Sequence, residues 1–191
     1  RAGAFDTTEG ESVSAAALGD SDAADERLYL VQFVGPIKKQ WFNELNANAD
    51  IVAYIPNNAY LIRASASELS HINSLKSTGS HVQWTGDYKP AYKIAPELSL
   101  DSDEEVTTTI QFVSTKNTAQ EIEELVTRSS ASLIDTPTTV LNYTNIRVKV
   151  RQRRLADVAR LNTVVWIEPW TEPVLHDEKQ GLILAGKLTG S

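Results

Sequence analysis

The three histidines are the first candidates for chemistry, because imidazole is a common general base and metal ligand. His71 falls in a predicted helix, His81 opens a predicted strand, and His176 lies near the C-terminus. None of them stands in a recognisable motif with an aspartate and a nucleophile. The adjacent residues from His176 to Glu178 cannot all converge on one ion. We therefore predict no catalytic residue and no metal site.

Residue types and motifs exclude several other chemistries. The chain has 191 residues and no cysteine, which rules out disulfides, thiolate zinc sites and cysteine nucleophiles. It contains neither a phosphate-binding loop nor a dinucleotide fingerprint. The loop after the first predicted strand, Val34 to Ile37, lacks the arginine that an acylphosphatase-like anion loop needs. We predict that the chain is not an enzyme and binds no cofactor.

A cluster of basic residues in the second half raises the question of nucleic acid. Its members are Arg147, Lys149, Arg151, Arg153, Arg154 and Arg160. RNA-recognition motifs of this fold class stack bases on aromatic side chains of their central strands. Here the outward positions are Thr, Gln, Arg and Lys, and the formal net charge is −7. We predict no nucleic-acid partner and, because the chain lacks a run of about 18 apolar residues, no segment that crosses a membrane.

Hydrophobic periodicity predicts the element order βαββαβ in the first half of the chain. An apolar run from Leu28 has the length of a strand, and a helical stripe follows it. Turn residues from Pro56 to Asn58 separate two further apolar runs and predict a hairpin. Ser65 and Glu68 have the spacing of a capping box, which begins a second helix. A last strand surrounds Trp84.

The same order recurs in the second half. Residues 106–112 alternate between apolar and polar types, as in a strand with one buried face. A strand at Leu133-Ile134, extending toward Leu141, and residues 146–150 supply the middle strands, and residues 164–167 the last one. VQWTGDYKP in the first half parallels VVWIEPWTEP in the second. An internal repeat of about 70 to 75 residues accounts for both patterns.

We therefore predict an α+β chain of two tandem ferredoxin-like βαββαβ domains. Each is an antiparallel four-stranded sheet with two helices on one face. The predicted divisions are 1–27 (disordered acidic leader), 28–98 (first domain), 99–105 (acidic linker), 106–174 (second domain) and 175–191 (extended tail). The leader has seven acidic and two basic residues and no sustained hydrophobic period.

One face of the second predicted sheet is polar and mildly basic. The positions opposite its core are Thr107, Thr109, Gln111, Arg147, Lys149 and Arg151. Such a face suits contact with another polar protein surface. Trp170 falls in the turn after the last strand, where an exposed aromatic side chain is a candidate docking residue.

The tail carries several apolar residues that no remaining element of the repeat covers. It reads VLHDEKQGLILAGKLTGS after Pro173. Such a segment can lie extended in a groove as an added strand. Two other interpretations of this tail stay equally open: a flexible terminus, and a strand that belongs to a following domain.

Three segments resemble a known family: YLVQFVGPIKKQWFNEL, IVAYIPNNAYLIRA and VQWTGDYKPAYKIAPEL. They look like the N-terminal propeptides of secreted bacterial subtilisin-like serine proteases that have two inhibitor-I9-like domains in tandem. The resemblance spans about residues 28 to 185. It implies a secreted intramolecular chaperone and temporary inhibitor whose partner is the cognate subtilisin-like catalytic domain. We expect the isolated chain to be monomeric.

The resemblance also implies roles for particular residues. The tail in the active-site cleft would include Leu175, Leu182, Ile183, Leu184, Leu188 and Ser191. The face docked on the catalytic domain would include Arg147, Lys149, Glu168, Trp170 and Glu172. The two glutamates would cap helix N-termini of the protease, where the helix dipole favours a carboxylate.

Two other functions fit the same element order. One is a regulatory module resembling tandem ACT domains, which bind small molecules at their interface through loops after the first strand. Gly35 suits such a loop, whereas Val113 to Thr115 in the second copy do not. The other is a free-standing protease inhibitor that was never attached to an enzyme.

Overall fold

The first half of the chain forms an antiparallel four-stranded sheet with two helices. The computed structural model describes residues 19–22, 24–74 and 81–172. The elements of this first domain are β1 (Glu26–Phe33), α1 (Lys39–Asn48), β2 (Asp50–Ile55), β3 (Ala59–Ser65), α2 (Ala66–Ser74) and β4 (Val82–Asp87). Their order across the sheet is β2-β3-β1-β4, so β1 and β3 are central.

The second half repeats this arrangement. The elements of the second domain are β5 (Glu105–Val113), α3 (Thr118–Ser129), β6 (Ser132–Leu133), β7 (Thr138–Val140), β8 (Tyr143–Arg151), α4 (Leu155–Ala159) and β9 (Val164–Pro169). The sheet order is β6-β8-β5-β9, and β7 also pairs with β8. Both orders are those of the split βαβ arrangement. The predicted α+β, ferredoxin-like fold is confirmed.

Each core lies between one face of a sheet and its helices. In the first domain, Val31 and Ile62 of the central strands meet Leu45 of α1 and Ile72 of α2. Side chains alternate between the two faces of a strand, so every second residue enters the core. In β8 this alternation buries Ile146, Val148 and Val150, and it leaves the basic residues between them on the other face.

The predicted capping box begins α2. The backbone N–H of Ser65 donates to the Glu68 carboxylate at 2.7 Å, and the Glu68 N–H donates to the Ser65 hydroxyl at 3.3 Å. These reciprocal bonds satisfy backbone donors that the helix leaves free. The bonds from Ser65 also hold the pKa of Glu68 below its usual value.

The strand predicted from Leu133 toward Leu141 is interrupted. β6 and β7 are two short strands separated by residues 134–137, and both pair with β8. Pro137 has no N–H to donate and disfavours a continuous ladder. The edge of the second sheet is therefore a broken one.

The predicted boundary at residue 98 is wrong. Ile94, Ala95 and Leu98 pack in the core of the second domain and not in that of the first. Ile94 forms a parallel bridge with Ile167, and the Ala95 N–H donates to the Ile167 carbonyl at 2.9 Å. The chain thus enters the second core before the acidic segment that we predicted as the linker.

The leader predicted to end at residue 27 is also too long, because β1 begins at Glu26. Asp22 contacts the second domain through a carboxylate that pairs with Arg128 at 2.6 Å. Its backbone N–H donates to the Arg160 carbonyl at 2.9 Å. Residues 1–18 lie outside the described part of the chain.

Candidate docking face

The face of the first sheet opposite its helices is covered by the second domain. Leu28, Leu30 and Leu61 of that sheet pack with Val113 and Val165 of the second domain. None of these five side chains is more than 8% exposed. Complete burial of an aliphatic side chain contributes about 1.5 to 3 kcal/mol, so this contact is a substantial interface. Only the second sheet keeps an uncovered face among the described residues.

Two tyrosines add directional bonds to the interface. The Tyr88 hydroxyl donates to the Val165 carbonyl at 3.1 Å, and the Tyr143 hydroxyl donates to the Val52 carbonyl. Burial raises the pKa of both phenols. Because hydrogen bonds depend on geometry more than apolar contacts do, these pairs favour one arrangement of the domains.

The outward face of the second sheet consists of three rows of side chains across β8, β5 and β9. We call it the open face. The rows are Asn145, Gln111 and Trp166; Arg147, Thr109 and Glu168; and Lys149, Thr107 and Trp170. The structure thus brings Arg147, Lys149, Glu168 and Trp170 together on one face, as the alternation predicts. Glu172 is exposed two residues after Trp170.

Trp170 lies across the open face rather than projecting away from it. Its N–H donates to the Thr107 carbonyl at 2.9 Å, which extends the ladder beyond β9. The Arg147 guanidinium lies 4.4 Å from the centroid of the Trp170 ring and also pairs with Asp135. A cation over an indole face is attracted by the ring quadrupole. The pair therefore presents a preformed aromatic and cationic surface.

Ion pairs distribute charge of both signs along this face. Lys149 lies 3.0 Å from Glu105, and Asp103 lies 3.9 Å from Arg151 and 2.7 Å from Arg153. Exposed pairs of this kind contribute about 0 to 1 kcal/mol to stability. Their main effect is on recognition, because a partner meets mixed charges instead of a single-sign patch.

Trp166 belongs to the open face and is partly buried against the edge of the second core. The register places it opposite Gln111, and its Nε1–H donates to the Glu168 carboxylate at 3.1 Å. The pairing shifts by one residue between Gln111 and Phe112, so Val164 lies opposite Phe112 in the core and Val165 packs in the cluster between the domains. The apolar run Val164 to Ile167 does not reveal that irregularity.

Of the two histidines that the structure describes, His81 has side-chain partners in the first domain. His81 Nε2 lies 2.9 Å from the Glu44 carboxylate, and the ring stacks on Phe33 and Trp41. His71 is exposed on α2. Among the described residues, no group of three His, Asp or Glu is placed to hold a metal ion, and no helix there has both the length and the apolarity to cross a membrane.

The predicted cleft-binding residues fall outside the described part of the chain. They are Leu175, Leu182, Ile183, Leu184, Leu188 and Ser191, and His176 lies in the same segment. Their role stays a prediction from the resemblance.

A cleft lies between the two domains, apart from the open face. A cleft of about 830 Å³ is lined by residues that include Glu26, Arg63, Lys116, Glu121 and Asn162. Two buried atoms of its wall, Nε of Arg63 and Oδ1 of Asn162, make no hydrogen bond with the described part of the chain. The cleft therefore offers groups of both charges and unused hydrogen-bonding capacity.

Lys93 is a buried cation that the sequence did not signal. Its side chain is fully buried, and Nζ donates to the Leu161 carbonyl at 2.8 Å. Burial lowers its pKa to about 7, partly opposed by the carboxylate of Asp22.

Comparisons with known proteins connect the chain to a protease by sequence. Residues 1–89 match a family described as a domain of unknown function, DUF8729. The serine protease/ABC transporter B family protein tagA of Dictyostelium discoideum is 29% identical over 131 residues, which cover 56% of this chain and 8% of that protein. This chain thus corresponds to a small part of that relative.

The family match ends near a structural boundary. Residue 89 lies shortly before Ile94, where the chain enters the second core. Among solved structures, the acetolactate synthase small subunit from Thermotoga maritima is 16% identical, with 76% of this chain and 92% of that chain covered and a TM-score of 0.24. A score this low carries no conclusion about function.

Proposed function

We propose that the chain is the N-terminal propeptide of a subtilisin-like serine protease and acts as an intramolecular chaperone and temporary inhibitor. The observation that carries this proposal is the contrast between the two sheets. The second domain covers the outer face of the first sheet, whereas the open face of the second sheet is polar, aromatic and uncovered in the described residues. The tagA similarity and the resemblance to I9-type propeptides support a protease partner.

The open face docks on the surface of the catalytic domain. Trp170 and Arg147 are the expected anchors, because tryptophan and arginine are enriched among the residues that dominate binding energy. Their stacking reduces the side-chain freedom that binding would otherwise remove. Glu168 and Glu172 meet helix N-termini of the partner, where partial positive charge favours a carboxylate.

The tail inhibits by occupying the active-site cleft. The segment that contains Leu175, Leu182, Ile183, Leu184, Leu188 and Ser191 binds as an added strand, with alternate side chains in substrate pockets. Cleavage frees the tail as a product, and later degradation of the propeptide releases activity. The chain itself performs no reaction and is secreted with its protease.

The docked propeptide also assists folding. Parallel sheets such as that of a subtilisin-type domain fold slowly, because distant segments must meet before they gain contacts. A surface that binds only native-like forms favours them by mass action. The first domain acts as a buttress that fixes the second, since its own sheet face already lies against that domain.

The test is inhibition of the cognate mature protease by the purified chain. We expect micromolar or tighter inhibition, which deletion of residues 175–191 abolishes. Glu168→Lys should weaken inhibition at least about tenfold, which corresponds to about 1.4 kcal/mol. Glu123→Lys makes the same charge change at an exposed position of α3 and should leave inhibition unchanged. Failure of the unmodified chain to inhibit at micromolar concentration would refute the proposal.

The cleft between the domains favours a second candidate, an ACT-like module that binds a small zwitterion. Lys116 in the loop after β5 and Arg63 could receive a carboxylate, and Glu26 and Glu121 an ammonium group. Free amino acids at millimolar concentration should then raise the melting temperature. Lys116→Ala should remove that shift, whereas Lys39→Ala, exposed on α1, should preserve it. No shift with any amino acid would exclude this candidate.

A further inference from the structure

The broken edge of the second sheet exposes a group of large apolar side chains. We call residues 133–141 the apolar arm. Its exposed side chains are Leu133 at 42%, Ile134 at 46%, Val140 at 56% and Leu141 at 89%. Isolated apolar residues on a surface are ordinary, but several in one short segment mark a site of interaction.

Leu141 also has an unfavourable backbone conformation. It occupies the first position of the two-residue turn between β7 and β8, with φ of +53°. Glycine and asparagine tolerate positive φ, whereas a bulky side chain there is strained. The corresponding hairpin of the first domain has Asn57 and Asn58 at its positive φ values of 69° and 60°. In the free chain, a strained leucine that contacts almost nothing contributes no evident stability.

The internal repeat shows how this part of the fold meets a neighbouring domain. In the first domain the place of β6 and β7 is taken by β2, whose residues Val52, Ala53 and Ile55 pack against the cluster between the domains, with the Val52 carbonyl bonded to Tyr143 of the second domain. The equivalent arm of the second domain has apolar residues but no such cover among the described residues. By analogy with β2, the apolar arm is therefore expected to pack against another folded domain.

We infer that the apolar arm is a second contact with the catalytic domain and that Leu141 is an anchor side chain, entering an apolar pocket on that domain. This inference rests on the proposed function. The arm adjoins the open face, because Asp135 of the arm pairs with Arg147 of that face. A shallow cavity of about 190 Å³, lined in part by Thr138 and Trp170, lies between them. A protein that covers the open face therefore reaches the arm.

The contact is made by side chains rather than by strand addition. β6 and β7 have two and three residues, and Pro137 between them lacks a backbone donor. Short, proline-broken edges resist pairing with another strand. The partner thus offers an apolar pocket next to a polar surface, which makes the arm a determinant of which protease is recognised.

The decisive variant is Leu141→Asn, because its effects on folding and on binding should have opposite signs. Asparagine accepts positive φ, so the urea midpoint of the free chain should stay the same or rise. Loss of the anchor should raise the inhibition constant about tenfold, the size of effect typical of a hot-spot residue. A variant that is no less stable yet inhibits less well cannot owe its weaker inhibition to unfolding.

Val140→Thr and Val34→Thr form a matched pair. The two valines are 56% and 57% exposed, but Val34 lies in the first domain, after β1. We expect weaker inhibition from Val140→Thr and unchanged inhibition from Val34→Thr.

The outcomes separate this inference from the proposed function. Inhibition by the unmodified chain together with equal inhibition by Leu141→Asn and Val140→Thr would overturn the inference and leave the function standing. A free chain that sediments as a dimer and becomes monomeric with Leu141→Asn would show that a second copy covers the arm, which also overturns it. Absence of inhibition by the unmodified chain would remove the basis for both.

Discussion

Lys93 should destabilise the folded chain at neutral pH. Its side chain is fully buried, and burial lowers its pKa from 10.5 to about 7. Between these two values the unfolded chain binds a proton that the folded chain does not. The free energy of unfolding must therefore rise with pH through this interval, and the penalty is largest below the folded-state pKa.

The size of the effect follows from the two pKa values. At pH 7 the penalty is about 4 kcal/mol, and at pH 9 it has fallen to about 2 kcal/mol. Asp22 favours the charged form of the amine and Arg27 opposes it. Tyr88 and Tyr143 do not obscure the change, because burial raises their pKa values and keeps both phenols neutral over this range.

Replacement of Lys93 by methionine tests this reasoning. Lys93→Met removes the ionisation penalty but leaves the Leu161 carbonyl without its donor, which costs about 1 to 3 kcal/mol. We expect a net gain of about 2 kcal/mol at pH 7 and little or no gain at pH 9. Urea titrations followed by fluorescence of the four tryptophans, at pH 7, 8 and 9, measure both values.

One result would refute the reasoning. It is parallel pH dependence of stability in the unmodified chain and in Lys93→Met, so that the difference is the same at all three pH values. That result would mean that the amine does not titrate in the folded state near neutrality. Lys39→Met, at an exposed position of α1, is the control and should change neither the stability nor its pH dependence.

Two further predictions concern the interface between the domains. A Cβ at Gly86 would lie 2.3 Å from the Trp84 ring. Gly86→Ala should therefore lower the free energy of unfolding, measured with urea, by about 1 to 3 kcal/mol. Gly35→Ala is the control and should change it little, because the space around Gly35 is open. Leu61→Ala should lower the free energy of unfolding by about 2 to 5 kcal/mol. It should also shift the fluorescence emission of Trp84, because both side chains belong to the cluster between the domains. A loss below about 1 kcal/mol would indicate that the domains separate easily.

The fold was predictable because its signals are local. Alternation in β5 and β8, turn residues at Pro56 to Asn58 and the capping box at Ser65 each act within a few residues. Together they determine the order of elements, and that order leaves few ways to arrange a sheet with helices on one face. The polar side chains of the open face followed from the same alternation.

Features that depend on distant contacts were not predictable. An apolar segment such as Ile94 to Leu98 shows that it must be buried, but not in which of two cores. The position of Val165 between the domains depends on a register shift in the pairing of β5 with β9. Lys93 is a buried amine because the chain places it against Leu161, 68 residues away. In each case the deciding neighbour is remote in sequence.

The interface between the domains did leave a readable signal in the first strand of each copy. Both strands have a register shift next to a Gln-Phe pair, Gln32-Phe33 in β1 and Gln111-Phe112 in β5, so LYLVQFV corresponds to TTTIQFV. At the two positions that face away from the helices, leucines in the first copy correspond to threonines in the second. A strand that is apolar on both faces must be covered on both, whereas an alternating strand leaves one face for water or a partner. The copy that retains the alternation is therefore the one expected to meet another protein, and the pair of leucines identifies the copy that already has its partner within the chain.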